Sequence, residues 1–147
     1  MINEVSPEEA RKRLQSNNET IYLDVRSVPE FVAGHPPGSL NIPVADKNVM
    51  TGRMDPNPRF LEVVQAHVPQ DARVIVGCNS GGRSALAVEM MTEAGYQNAV
   101  NMVGGYMGET DRTGQVIREG WTTLGYPVER GEGGEKGYRT LAAKVPE

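Results

Sequence analysis

One cysteine, Cys78, and one tryptophan are all that 147 residues hold of those two types. A single thiol excludes an internal disulfide and any multi-cysteine zinc site. No apolar stretch approaches the roughly 18 residues of a membrane-crossing helix, and Met1-Ile2-Asn3-Glu4 shows no positive segment running into an apolar one. The expectation is a cytoplasmic protein, or one of an equivalent reducing compartment, with no membrane attachment. Lysines and arginines form no run long enough to track a phosphate backbone, and the net charge is −4, so nucleic acid is not expected as a partner.

What is present suits one globular domain. The length matches the roughly 150 residues of a single unit. Apolar residues make up 38% and charged residues 23%, while 17 glycines and 10 prolines predict many turns. Ser6-Pro7-Glu8-Glu9 reads as a capped helix start, with a helix expected over about 7–16. Residues 21–25, 73–77 and 99–103 are short runs rich in apolar and β-branched residues, as buried parallel strands would be. Asn57-Pro58 opens a second helix carrying Phe60, Leu61, Val64 and Val68, and residues 84–94 form a third with Gly95 as its cap. Residues 46–55 show no clear period, and Asp111-Arg112-Thr113-Gly114 suggests a small hairpin. The alternation of strand and helix predicts an α/β fold with helices on both faces of a parallel sheet. Residues 1–129 are assigned to the domain, and the glycine-rich, charged 130–147 to a flexible C-terminal tail.

The chemically loaded segment is Cys78-Asn79-Ser80-Gly81-Gly82-Arg83-Ser84, between a strand and a helix. That junction is the carboxyl edge of an open sheet, where ligands bind. Two adjacent glycines allow successive amides to converge on one anion above a helix N-terminus. A thiolate there is stabilised by those donors and by Arg83, and is nucleophilic near neutral pH. A lone cysteine after a buried strand is most often inert core. The Gly-Gly-Arg-Ser that follows reverses that expectation.

Cys78 to Ser84 resembles the active-site loop of rhodanese-type sulfurtransferases. Asp24-Val25-Arg26, Glu30-Phe31 and Gly34-His35-Pro36-Pro37-Gly38-Ser39-Leu40-Asn41-Ile42-Pro43 are similar to that family's N-terminal signature. Gly104-Gly105, Trp121 and Gly125-Tyr126-Pro127-Val128 are similar to its closing one, although the family places its tryptophan much nearer the glycine pair. The resemblance implies a rhodanese-like three-layer domain, a central parallel sheet flanked by helices, and one catalytic cysteine. It also implies that Cys78 takes sulfane sulfur from thiosulfate or a related small anionic donor. The sulfur is held as a persulfide and passed to cyanide, a thiol or a sulfur-relay protein, with neither cofactor nor metal. Arg83, Asn79, Ser80, Gly81, Gly82 and Ser84 are then the donor-binding loop, with Ser84 capping the helix or bonding the thiolate. Asp24, Arg26 and His35 are expected to brace it, and His67 to be a surface residue or one facing the C-terminal dipole of its helix. A sulfur carrier or binding module shares the first step. A cysteine-dependent phosphatase or arsenate reductase is the other alternative, disfavoured because Cys78 and Arg83 are spaced Cys-x4-Arg, one residue tighter than the phosphatase loop.

Overall fold

The computed structural model describes residues 3–16, 19–80 and 82–146. In chain order it contains β1 (Glu4–Val5), α1 (Pro7–Ser16), β2 (Ile21–Asp24), α2 (Val28–Ala33) and β3 (Leu40–Asn41). Next come β4 (Ala45–Lys47), β5 (Met54–Pro56), α3 (Phe60–His67), β6 (Val74–Gly77) and α4 (Gly82–Glu93). The chain then forms β7 (Ala99–Met102), β8 (Glu109–Thr110), β9 (Val116–Arg118), a 3-10 turn at Gly134–Lys136 and α5 (Tyr138–Ala143).

Five strands form one parallel sheet in the order β1-β7-β6-β2-β3, which makes β6 its centre. All four residues of β6 are buried, as a strand covered on both faces must be. Side chains alternate across the pleat. Tyr22 and Ile75 enter one apolar cluster with Ala10 of α1, Met102, Tyr106 and Trp121. Leu23, Val74 and Val76 face the other way, against Phe60 and Val64 of α3 and Ala87, Val88 and Met91 of α4. This is the three-layer α/β arrangement expected from the sequence.

The helix over 7–16 forms as predicted, with the Glu9 N–H donating to Ser6 Oγ at 3.1 Å. The second helix starts at Phe60 rather than Asn57, because the Asn57 carboxamide accepts the Arg59 N–H and makes a turn of residues 57–59. The third begins two residues earlier than expected, at Gly82. The hairpin near 110–116 is present as β8 and β9, its turn held by Asp111 Oδ1 accepting the N–H groups of Thr113 and Gln115. The segment without a period is a second hairpin, β4 and β5.

Within 130–147, the segment assigned to a flexible tail, residues 138–145 pack against the domain in this structure. Leu141 of α5 is buried in the core cluster beside α3, Arg59 donates to the Val145 carbonyl at 2.7 Å, and His67 Nε2 donates to the Leu141 carbonyl at 2.7 Å. Apolar contacts from Tyr138, Leu141, Ala142 and Val145 tie down a segment whose glycines and charges had suggested mobility. His67, expected on the surface or facing its helix dipole, serves as one of its anchors. Among the described residues no helix is long and apolar enough to cross a membrane.

Candidate active site

Because β6 is central, the residue after its last one emerges at the carboxyl edge of the sheet, and that residue is Cys78. Its side chain is buried, 2% exposed. The sulfur lies 3.3 Å from Ser84 Oγ in the first turn of α4, and the Ser84 hydroxyl donates to Asn101 Oδ1 on β7 at 2.5 Å. A serine hydroxyl has one proton to give. With that proton on Asn101, Ser84 Oγ is left to accept from the thiol. Ser84 therefore meets the sulfur directly, as one of the two roles expected for it.

The loop is pinned from the side by the closing glycine pair. The Tyr106 N–H donates to the Cys78 carbonyl at 2.7 Å and the Met107 N–H to the Asn79 carbonyl at 2.9 Å. This close approach requires Gly105, which has φ +61°, and whose missing Cβ would fall 2.5 Å from the Cys78 carbonyl oxygen.

Asp24 and Arg26, expected to brace the loop, lie beside it, with Arg26 in contact with both Asp24 and Asn79. Both are nearly inaccessible, and the Arg26 guanidinium meets the Asp24 carboxylate at 2.7 Å. Arg26 also donates to the Gly34 carbonyl and to Asn79 Oδ1, and lies 4.2 Å over the Tyr106 ring. Burial works against its charge, but the Asp24 contacts outweigh that and raise its proton affinity above the ordinary arginine range. Burial, with Asp24 beside it, likewise pushes the Tyr22 phenol well up. His35 braces from farther out: its ring stacks on Phe31 at 3.6 Å, Nδ1 donates to the Phe31 carbonyl at 2.7 Å, and Nε2 faces Glu129 at 3.3 Å.

Two of the expected donor-binding side chains are engaged elsewhere. Asn79 is held at both ends, its Oδ1 by Arg26 and its Nδ2 by Glu30 at 2.7 Å. Arg83 is clasped by both oxygens of Glu30, at 2.7 and 3.0 Å. Ser80 and Gly82 are exposed, and Gly81 lies outside the described residues. Burial alone would raise the Glu30 carboxyl; bonds from Arg83 and from the Ser27 hydroxyl and amide override it and bring it down to about 2. Glu30 and Asn101 were not singled out from the sequence as site residues. Ser27-x-x-Glu30 was a legible capping box, whereas nothing local marks Asn101, which reaches the site only through strand order. Among the described residues no group of three or more His, Cys, Asp or Glu side chains is placed to hold a metal ion.

The model of the rhodanese-like domain matches residues 6–109, a span that takes in β6, the loop and the Gly104-Gly105 pair. The chain belongs to the rhodanese-like family. Thiosulfate sulfurtransferase 16 of Arabidopsis thaliana, a chloroplast protein, is 44% identical over 85 residues, which are 58% of this chain and 69% of that one. Thiosulfate sulfurtransferase 18 of the same plant is 37% identical over 117 residues, 78% of this chain and 83% of its own. Several other plant relatives are longer, and the matched region spans about half of them. The crystal structure of Rv0390 from M. tuberculosis superposes with a TM-score of 0.73 at 29% identity, covering 88% of this chain and 98% of that one. Rhodanese-like structures thus share the central parallel sheet and the flanking helices found here.

Proposed function

We propose that this chain is a sulfurtransferase that moves sulfane sulfur through a persulfide on Cys78, as a rhodanese-type thiosulfate sulfurtransferase does. The Cys78 thiolate attacks the outer sulfur of thiosulfate or a related donor. The donor's S–S bond breaks, its electron pair leaves with sulfite or a thiolate, and Cys78 carries the transferred sulfur. Cyanide, a thiol or the cysteine of a relay protein then attacks that outer sulfur and restores the thiolate. No redox cofactor or metal enters the balance, and a reducing compartment keeps Cys78 from oxidation.

The observation that carries this reading is the placement of Cys78 at the end of the central strand with the Ser84 hydroxyl against its sulfur. The hydroxyl supplies a directed donor to a sulfur anion that burial would otherwise destabilise. The tight Cys-x4-Arg loop and the relatives named as sulfurtransferases support it too. The test is the thiosulfate:cyanide reaction. Wild-type protein forms thiocyanate and the Cys78→Ser protein, with unchanged circular dichroism, does not. Turnover by the serine variant at the wild-type rate would refute the proposal, since the chain has no second cysteine.

A further inference from the structure

The two arginines beside the loop are each matched by a carboxylate. Arg26 is held by Asp24, and Arg83 by Glu30 in a two-point contact. Arg83 closes the loop that Cys78 opens and lies within electrostatic reach of it, so its charge bears on an incoming anionic donor. Glu30 offsets that charge, and it is well anchored to do so, accepting also from the Ser27 amide and hydroxyl and from Asn79. Arg130 also acts on this cluster, through the Tyr106 phenol, but from an exposed position where salt screens it.

We infer that Glu30 is a specificity-determining residue: by neutralising Arg83 it weakens the hold on dianionic donors such as thiosulfate and leaves the loop matched to donors of smaller charge, the hydropersulfides of thiols. With such a donor, R–S–SH, the Cys78 thiolate attacks the terminal sulfur, the S–S bond breaks, and R–S⁻ departs with the electron pair. Cys78 is left as S–SH, and charge balances without an oxidant or reductant. Thiosulfate instead brings two negative charges toward a thiolate, and its approach depends on unpaired positive charge at the loop. The Glu30 carboxylate removes that support. The inference rests on the sulfur-transfer reading above and adds the donor class to it.

The test measures the second-order rate of sulfur loading onto Cys78 by quenched intact-mass spectrometry, with thiosulfate and with cysteine hydropersulfide, in wild type, Glu30→Gln and Glu30→Gln/Arg83→Gln. The ratio of the two rates cancels any loss of folded protein. In Glu30→Gln the ratio rises toward thiosulfate by about tenfold, a change of about 1.4 kcal/mol. In the double variant the rise disappears, because Arg83 is its source. A purely structural Glu30 would slow both donors alike, and an unchanged ratio overturns the inference, as does a rise that persists without Arg83. Sulfur loading in Cys78→Ser would instead overturn the underlying sulfur-transfer reading.

Discussion

The Tyr22 phenol occupies the space that a side chain at Gly77 would need: a Cβ built there falls 1.8 Å from the Tyr22 hydroxyl oxygen and 2.6 Å from Cζ. Tyr22 and Gly77 sit on the paired central strands β2 and β6, so the clash arises one residue before Cys78. Gly77→Ala is therefore expected to destabilise the domain by about 1–3 kcal/mol, as overpacking of a filled core does. Replacing Tyr22 by Phe in the same protein restores part of that loss by removing the closer atom. Urea unfolding of the four proteins in the cycle checks it, and additive effects would show that the two residues do not meet.

Acid stability follows from Glu30. Its carboxyl is held at about 2 against an ordinary 4.5. A depressed carboxylate contributes stability that is complete above the unfolded value and is lost as pH falls toward the folded one. The window is therefore about pH 4.5 down to 2. Both side chains of the Glu30–Arg83 pair keep some solvent exposure, so the contribution is on the order of 1–2 kcal/mol. Thermal unfolding of wild type and Glu30→Gln across that window should show the wild type losing this increment and the variant not. Parallel curves would remove Glu30 from the acid response.

The Ser84 hydroxyl is in direct hydrogen-bond contact with the Cys78 sulfur. A hydrogen bond to a charged group contributes about 1.5–3 kcal/mol. Ser84→Ala should accordingly slow alkylation of Cys78 by iodoacetamide at neutral pH by about tenfold or more. Equal rates would mean that the hydroxyl never turns to the thiolate.

The C-terminal arm offers a stability test far from the chemistry. Leu141 is 4% exposed within the core cluster. Leu141→Ala should cost about 2–5 kcal/mol, the usual range for a buried leucine, while the iodoacetamide rate of the folded variant stays at the wild-type value. A neutral substitution would return residues 138–143 to the status of a loose tail.

What the sequence made legible was set by run length and spacing. Residues 21–24, 74–77 and 99–102 are apolar enough to declare buried strands, and the Cys78–Ser84 loop declared itself through glycines between a strand and a helix. The two-residue edge strands at Glu4–Val5 and Leu40–Asn41 carry too little alternation to be seen, since their pairing is supplied by the neighbouring strand. Glycine and charge dominate the composition of the arm, whereas a few apolar side chains make its contacts with the core, and such a minority carries no periodic signal. In the candidate site, Cys78, Ser84, Asp24 and Arg26 were singled out from the sequence, and the structure brings them together. Asn101 and the capture of Arg83 by Glu30 were not, because both arise from contacts between elements distant in the chain.

The central claim is that Cys78 accepts a sulfur atom, and the most direct measurement is the intact mass of the protein after incubation with thiosulfate or cysteine hydropersulfide followed by removal of the donor. The account predicts a gain of one sulfur atom, located on Cys78 by peptide mapping, absent from Cys78→Ser, and lost again on addition of cyanide with release of thiocyanate. An unchanged mass with both donors, from protein whose Cys78 still reacts with iodoacetamide, would contradict it.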